Sequence, residues 1–360
     1  MAKQPELSII IPAYNCGDKI SQIVNSILKQ SFTDFELIIV NDKSSDDTEQ
    51  VVQNLASLDK RVILISQKNN GGAAIARNTG LSIASGDYIM FFDADDDILP
   101  NTINEFIKAV KNTQTDLVIS GFRVVTLRNG LPLQSVDVYT NNLPKQSASE
   151  SWRLYILRLL GLDGRLYQVW NKIYKASIIK KYKLEFKPGI NFGEDLIFNL
   201  DYLSHINKIS FINKPLYIYY QSLDSGTFSK SSLIYANRLQ NYDYLTNNFL
   251  KDESTSKEKE GLLIWIKYNW LYSHLLAISL SMMSQENKLK ALREVSNIET
   301  SLSLSDKEII GSKRYYVELL VRYLINHPRL ALVIMSTSNK LKNSKYTAKL
   351  WQTMRRKING

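Results

Sequence analysis

The ten residues Tyr88–Asp97, YIMFFDADDD, decide how the rest of this chain is interpreted. Their first half is a continuous apolar and aromatic run, which is typical of a buried strand. Their second half places four carboxylates within five residues, and like charges this close repel each other unless a cation offsets them. The pattern indicates either a site for a hard divalent metal ion at a strand end or a solvated acidic turn before the helix after Pro100.

An EF-hand calcium loop does not explain this acidic run. Asp93, Asp95 and Asp97 show the alternation that such a loop uses. Ile98, however, occupies the place of the required glycine, and no glutamate closes the loop at the expected spacing.

Strands and helices are expected to alternate on the N-terminal side of the run. Short β-branched apolar segments predict buried strands, and apolar residues every three or four positions predict helices between them. This alternation predicts an α/β fold with a mostly parallel sheet flanked by helices, in which ligands bind beyond the carboxyl ends of the strands. The predicted strands are 7–11, 35–40, 62–65 and the run at Tyr88, and the predicted helices are 19–30, 48–57 and 73–85.

Polar residues follow three of these strands and would lie side by side at one sheet edge: Pro12–Asn15, Asn41–Asp47 and Asp93–Asp97. The chain has no Gly-Lys-Ser/Thr phosphate loop and no GxGxxG after its first strand, which excludes P-loop and dinucleotide-binding folds. The loop Asn69–Gly72 either offers backbone N–H groups to a phosphate at a helix start or is a plain turn.

Five pieces of the sequence, in this order, resemble family-two glycosyltransferases with the GT-A fold, a nucleotide-diphospho-sugar transferase fold. The resemblance covers residues 7–100 closely and continues less tightly to about residue 228. The pieces are SIIIPAYN (8–15), SILKQSFTDFELIIVND (26–42), KSSDDT (43–48), NNGGAAIARNTGL (69–81) and GDYIMFFDADD (86–96).

The resemblance implies a site for a nucleotide sugar, with a UDP-sugar as the expected class. Pro12 and Tyr14 would line the base and ribose pocket, and Asp42 would accept a hydrogen bond from uracil. Lys43 stands where the family usually has glycine, which leaves the base preference open. The nucleotide-binding residues implied are Pro12, Ala13, Tyr14, Asn15, Asp42, Asn70, Gly71, Arg77, Asp93 and Ala94; for Arg77 the alternative is a structural ion pair with Asp93 or Asp96.

Asp93-Ala94-Asp95 resembles the DxD element of the family. Asp95 would bind Mn²⁺ or Mg²⁺ directly, and Asp93 would contact the ribose or the metal. A divalent cation there would stabilise charge that builds on the diphosphate when the sugar leaves. Asp96 is a candidate second ligand, and Asp97 is expected to cap the next helix.

For catalysis the resemblance implies Asp195 as the base that takes the proton of the acceptor hydroxyl, with Glu194 orienting the acceptor. Without this resemblance, adjacent acids at a helix start would indicate a helix cap. One base and no covalent nucleophile imply inversion at the anomeric carbon. Trp170 either binds the acceptor by stacking on a sugar ring or is a core residue. Gln221 stands where Arg or His is common, so a diphosphate contact from that segment is in doubt.

The expected domains are 1–228 (nucleotide-binding half 1–100, acceptor half 101–228), a helical region 229–335, and a basic tail 336–360. Residues 225–229 are expected to form a lid or a linker. The 60 residues from 301 onward hold twelve Lys and Arg against three Asp and Glu, so the tail either lies on an anionic membrane or is solvated. Nucleic acid is not expected, because the other 300 residues are nearly neutral. The helical region could form a homo-oligomer.

The single cysteine, Cys16, and the lack of a signal-like or membrane-spanning segment suggest a cytoplasmic protein, peripheral to the inner face of the membrane if the tail binds there. We expect a metal-dependent inverting glycosyltransferase of bacterial envelope or capsule polysaccharide biosynthesis. Its acceptor would be a glycan, a lipid-linked saccharide, a teichoic acid or a glycoprotein. The alternatives are a non-catalytic nucleotide-sugar sensor and, less favoured without a Gly-rich basic loop after the first strand, a nucleotidyltransferase.

Overall fold

The computed structural model describes residues 4–162, 164–190, 193–222, 231–280 and 284–299, together with residue 328. These residues divide into two compact units. In described residues, the first unit comprises 4–153, 164–190, 193–222 and 243–251, and the second comprises 154–162, 231–242, 252–280, 284–299 and 328.

The first unit begins with four parallel strands joined by three helices, as the sequence predicts. The strands lie side by side in the order β3-β2-β1-β4. Nearly every residue of β1 and β2 is buried, because helices cover both faces of a parallel sheet, and this explains their unbroken apolar sequences. The elements are β1 (Leu7–Ala13), α1 (Ile20–Leu28), β2 (Phe35–Asn41), α2 (Thr48–Leu58), β3 (Val62–Ser66), α3 (Gly72–Ile83) and β4 (Tyr88–Phe91).

The second half of the sheet mixes parallel and antiparallel pairing. The full strand order is β3-β2-β1-β4-β8-β6-β9-β5, with β7 paired to β6. Strand β8 runs antiparallel to both β4 and β6, whereas β6 and β9 are parallel. The elements are β5 (Asp97–Ile98), α4 (Thr102–Thr113), β6 (Leu117–Arg128), β7 (Leu131–Val138), α5 (Trp152–Leu162), β8 (Lys172–Lys175), α6 (Ala176–Tyr182), α7 (Glu194–Leu203) and β9 (Ile209–Ser222).

The segment from Arg123 to Glu150, expected as a hairpin or a loop beside the site, begins as a hairpin of β6 and β7 with a register shift between Thr126 and Leu127. One local expectation is corrected here. Asp97 does not cap α4, whose N-cap is Asn101. Instead, Asp97 pairs with Ile218 of β9, and its Oδ2 accepts a hydrogen bond from Nε2 of Gln22 at 2.8 Å.

The second unit is helical where it is described. Its helices α9 and α10 bury Ile266, Leu271, Leu275 and Leu292. None of the described helices has the length and apolar content needed to cross a bilayer. The predicted boundary at 228/229, the segment 225–229 and the tail 336–360 lie outside the described residues. The helices are α5 from residue 154 onward, α8 (Ser231–Tyr244, whose last two residues belong to the first unit), α9 (Lys257–Leu280) and α10 (Gln285–Glu299).

Gly86 marks the closest approach of the chain before β4 to β1. A Cβ atom at this position would lie 2.5 Å from the backbone nitrogen of Ser8 and 2.7 Å from the carbonyl carbon of Leu7. Because backbone atoms of a paired strand cannot move aside as a flexible side chain can, we expect Gly86→Ala to lower the free energy of unfolding by about 1–3 kcal/mol.

Urea denaturation measures this loss. Asp87→Ala is the matched control, since Asp87 is the next residue and its side chain is exposed; we expect a change within about 0.5 kcal/mol. Equal stability of the two variants would contradict the close approach.

Candidate active site

A cavity of about 490 Å³ lies at the carboxyl ends of β1, β2 and β4, next to the start of α3. The sheet brings together nearly all the residues that the sequence singles out for nucleotide binding; Gly71 does not line the cavity. Cys16, Lys19 and Ala73 line it without having been predicted, and Gly72 comes from the loop that is expected either to face a phosphate or to be a plain turn. The lining residues are Pro12, Ala13, Tyr14, Asn15, Cys16, Lys19, Asp42, Asn70, Gly72, Ala73, Arg77, Asp93, Ala94 and Asp95.

Asp42 connects the end of β2 to the start of α3. Its two carboxylate oxygens accept the backbone N–H groups of Gly71 at 2.8 Å and Gly72 at 2.7 Å. Nδ2 of Asn70 donates to the carbonyl oxygen of Asp42 at 3.1 Å. A carboxylate that accepts the first free N–H groups of a helix stabilises that helix and fixes the loop before it. Asp42 and Asn70, two of the predicted site residues, thus hold the loop Asn69–Gly72 against the end of β2.

One residue after each of the strands β1 and β2 has a left-handed backbone conformation. Asn15 has a φ of 47° and Lys43 a φ of 61°. Lys43 therefore adopts a backbone conformation that glycine, the usual family residue there, takes more easily. The two exits are tied together: Ser44 Oγ accepts the N–H of Asn15 at 3.0 Å, and Asn15 Oδ1 accepts the N–H of Ser45 at 2.8 Å.

Arg77 of α3 joins the cavity to the start of α7. Its guanidinium donates to Asp93 at 2.8 Å, to Glu194 at 3.2 Å and to Asp195 at 2.9 Å. The Arg77 side chain is only 4% exposed, and the ring centroid of Phe186 lies 5.3 Å from its Cζ. Burial alone would lower the pKa of Arg77, but the three carboxylates raise it, so this group stays charged. The expected ion pair with Asp93 is present, whereas Asp96 bonds elsewhere.

Asp195 is a carboxylate whose charge is only partly compensated. Burial raises its pKa to about 7; Arg77 opposes the shift, and the charges of Glu194 and Asp93 add to it. One guanidinium faces three carboxylates, so repulsion among them remains. The second oxygen of Asp195 accepts the backbone N–H of Val169 at 3.3 Å. A carboxyl group with such a pKa exchanges protons near neutral pH.

The acidic run separates into groups with different surroundings. Asp95 is exposed at the cavity, and partial desolvation followed by the neighbouring charge of Asp93 raises its pKa. Asp96 is 2% exposed and accepts hydrogen bonds from the hydroxyl of Tyr217 at 2.7 Å and the N–H of Tyr220 at 2.9 Å. Burial raises its pKa well above the usual range. The expectation that Asp96 is a second metal ligand is therefore wrong, because its carboxyl group points into the protein.

Trp170 is also corrected, from an acceptor-binding residue to a core residue. Its side chain is 3% exposed and belongs to the hydrophobic core. Its ring stacks on Tyr217 at 4.4 Å and lies edge-on to Phe122 at 4.9 Å. Tyr217 of β9 packs against Trp170 and at the same time binds Asp96, whereas Phe122 belongs to β6. A ring buried in this way offers no face to a sugar.

A buried polar network, not predicted from the sequence, supports the backbone next to Asp195. Lys172 is fully buried, and its ammonium donates to the carbonyl oxygens of Arg165 and Gln168. Nδ2 of Asn199 also donates to the carbonyl of Gln168, at 3.1 Å. These contacts hold the chain just before Val169, whose N–H binds Asp195. The sequence signal was present, since Asn171 and Lys172 interrupt an apolar segment.

The charge imbalance around Asp195 gives a prediction for stability. Because the folded-state pKa is near 7 and the unfolded one near 3.9, the wild type loses stability relative to Asp195→Asn as pH rises between about 4 and 7. The free energy of unfolding of Asp195→Asn minus that of the wild type should increase by up to about 1.4 kcal/mol per pH unit in that window and level off above it.

Urea denaturation of both proteins at pH 5, 6, 7 and 8 measures this difference. Asp137→Asn is the control, since Arg123 lowers the pKa of Asp137, so its effect should not vary from pH 5 to 8. A pH-independent difference for Asp195→Asn would show that its charge is fully compensated.

Comparison with known proteins agrees with this geometry. Residues 8–184 match the model of the family described as glycosyl transferase family 2. An uncharacterized glycosyltransferase, EpsJ of Bacillus subtilis, is 31% identical over 62% of this chain and 63% of its own length. A poly(ribitol-phosphate) beta-N-acetylglucosaminyltransferase, TarP of Staphylococcus aureus, is 29% identical over 55% of this chain and 57% of its own length. The matches thus span less than two thirds of these relatives.

Solved structures share the fold. Staphylococcus aureus TarS superposes with a TM-score of 0.61 at 20% identity, over 92% of this chain and 54% of the TarS chain. A mannosyltransferase of Pyrobaculum calidifontis, PcManGT, crystallised with GDP-Man and Mn²⁺, has a TM-score of 0.52 at 14% identity, over 95% of this chain and 89% of its own. The family match, the relatives and the shared GT-A fold agree: residues 8–184, just under half of the chain, match glycosyl transferase family 2.

Proposed function

We propose that this protein transfers a sugar from a nucleotide-diphosphate donor, a UDP-sugar, to an acceptor hydroxyl with inversion at the anomeric carbon. One observation carries the proposal: Arg77 joins Asp93, at the donor-sized cavity, to Asp195, a carboxylate with a pKa of about 7. A base beside a nucleotide cavity is the arrangement that glycosyl transfer to a hydroxyl needs.

The nucleotide would occupy the cavity between the exits of β1 and β2. Tyr14 is 53% exposed there, so its ring face is available for stacking on a base. Asn70 and Asp42 hold the loop opposite. A solved structure of Staphylococcus aureus TarS contains UDP-GlcNAc, and the PcManGT structure contains GDP-Man. We place uridine first because Asp42 occupies the position of the uracil acceptor in the resemblance, and the binding experiment below compares both bases.

The carboxylates at the cavity fit a divalent metal ion that is completed by the donor. Asp93 and Asp95 both line the cavity. Desolvation, followed by repulsion from Asp93, raises the pKa of Asp95, and a cation bound between the two carboxylates would relieve the repulsion. The described residues contain no group of three or more metal-ligating side chains. Mg²⁺ and Mn²⁺ sites of this kind use one or two carboxylates together with substrate phosphates. Bound by Asp93 and Asp95, the ion would stabilise charge on the departing diphosphate.

Asp195 would take the proton from the acceptor hydroxyl. Arg77 and the N–H of Val169 orient its carboxylate, and its pKa near 7 suits a base that works at neutral pH. Glu194 would position the acceptor, because Arg77 holds it next to Asp195. The described site contains one such base beside the donor cavity, which supports a single displacement.

For the acceptor we propose a hydroxyl of a bacterial envelope polymer. This rests on the relatives, which include TarP and a poly(ribitol-phosphate) beta-glucosyltransferase of Bacillus spizizenii that is 31% identical over 54% of this chain and 29% of its own length. Since nucleotide sugars are made in the cytoplasm, the reaction would take place there, with residues 336–360 as a proposed contact to the membrane.

Donor binding gives the first functional prediction. Wild-type protein should bind UDP in calorimetry more tightly than GDP, and only in the presence of Mn²⁺ or Mg²⁺. Asp95→Ala should lose the metal-dependent part, because it removes the exposed carboxylate of the pair. Mn²⁺-dependent UDP binding that persists in Asp95→Ala, or wild-type binding that survives EDTA, would contradict the metal site, and tighter binding of GDP would contradict the uridine donor.

Turnover tests the base. Asp195→Asn should keep UDP affinity while kcat falls by about 10²–10⁴. In wild type, kcat/KM should rise with pH up to about 7 and level off above it, since the ionised form of Asp195 acts as base.

Donor hydrolysis and transfer to ribitol-phosphate polymer provide the rates, with Asp137→Asn as the control that should retain them. UDP binding without turnover above background in wild type would favour the non-catalytic sensor, whereas equal turnover in Asp195→Asn would show that Asp195 is not the base.

A further inference from the structure

The diphosphate of a nucleotide sugar needs cationic side chains, and the cavity has few available. Its ionisable lining consists of three carboxylates and two cations besides Cys16. Arg77 is 4% exposed and already binds three carboxylates at 2.8 to 3.2 Å. Arg77 can therefore approach a phosphate only by giving up a buried ion pair, which is costly.

Lys19 is the other cation of the cavity. It is exposed and lines the same space as Asp95. Within the described part of the chain its ammonium forms no ion pair or hydrogen bond. Gln221 of β9, the segment for which a phosphate contact was in doubt, is neutral.

The position of Lys19 is not explained by the stability of its helix. It is the N-cap residue of α1 and its side chain makes no capping hydrogen bond, while the first turn contains no acidic residue. A cation at the N-terminus of a helix is opposed by the helix dipole, which favours negative charge there. The charge of Lys19 acts instead on Asp95, whose raised pKa it partly offsets, so the ammonium lies where an anionic ligand of this cavity would meet it. A residue that breaks a local rule in this way points to a functional role.

We infer that Lys19 binds the diphosphate of the donor and supplies the direct protein cation for it. This inference rests on the proposed nucleotide-sugar function and adds a specificity-determining residue to it. The ammonium would hold the diphosphate from the α1 side of the cavity, opposite the buried Arg77. It would also balance negative charge on the diphosphate when the sugar leaves, as a flexible point charge does at a phosphate.

Lys19→Met and Lys43→Met form a matched pair for testing this. Both remove one exposed positive charge near the exits of β1 and β2, but Lys43 does not line the cavity. Any long-range effect of net charge is therefore similar in the two variants. The probes are UDP with Mn²⁺, measured by calorimetry, and uridine, measured by ligand-observed NMR because it is expected to bind weakly.

Lys19→Met should weaken UDP binding by about 10- to 100-fold, the range for losing a hydrogen bond to a charged group. Uridine affinity should change less than twofold, and Lys19→Arg should recover most of the UDP affinity. Lys43→Met should leave both ligands within about twofold of wild type. Thermal unfolding confirms that each variant is folded.

The outcomes separate the inference from the function on which it rests. If wild type binds UDP and Lys19→Met binds it equally well, or if uridine and UDP weaken alike, Lys19 is not a phosphate ligand and the proposed function stands. If Lys43→Met weakens UDP as much as Lys19→Met does, the effect is one of net charge and the inference is wrong. If folded wild type binds no nucleotide, the proposed function fails and the inference fails with it.

Discussion

Arg77 binds carboxylates from two distant segments of the chain, and the geometry on one side of the cavity depends on that contact. Asp93 follows β4, whereas Glu194 and Asp195 begin α7, and the guanidinium reaches all three within 3.2 Å. Without Arg77 the three carboxylates would lose their shared cation, and breaking a buried ion pair in this way typically costs about 3–5 kcal/mol. The same contact places a proton-exchanging carboxyl group beside a nucleotide-sized space.

Strand β9 imposes a second constraint on the site, because its residue Tyr217 makes both a polar and an apolar contact. Tyr217 donates its hydroxyl to Asp96 and stacks its ring on Trp170. This removes one acid of the acidic run from the cavity and leaves Asp93 and Asp95 facing it. The four carboxylates of the acidic run therefore differ in their surroundings. Asp93 and Asp95 line the cavity, Asp96 is buried and accepts hydrogen bonds, and Asp97 lies in a strand.

Residues 7–91 could be predicted well because their strands are buried on both faces and read as unbroken apolar runs. Strand and helix bounds there agree within two residues, and the polar exits do meet at one sheet edge. What failed depended on contacts with β9: the positions of Trp170 and Asp96 are set by tyrosines far away in sequence. Lys19 was missed because its exposure to the cavity depends on how the loop before α1 turns, which no periodic pattern records. The roles of the site residues stay predictions.

Cys16 has a practical consequence for this molecule. It is the only cysteine in the chain, it is 5% exposed, and it lines the cavity. Burial raises the pKa of its thiol to about 11, so the nucleophilic thiolate is scarce at neutral pH. Alkylating reagents should therefore modify the wild-type protein slowly and at one place. A spectroscopic label attached to Cys16 would therefore report on the cavity, and no other cysteine would have to be removed first.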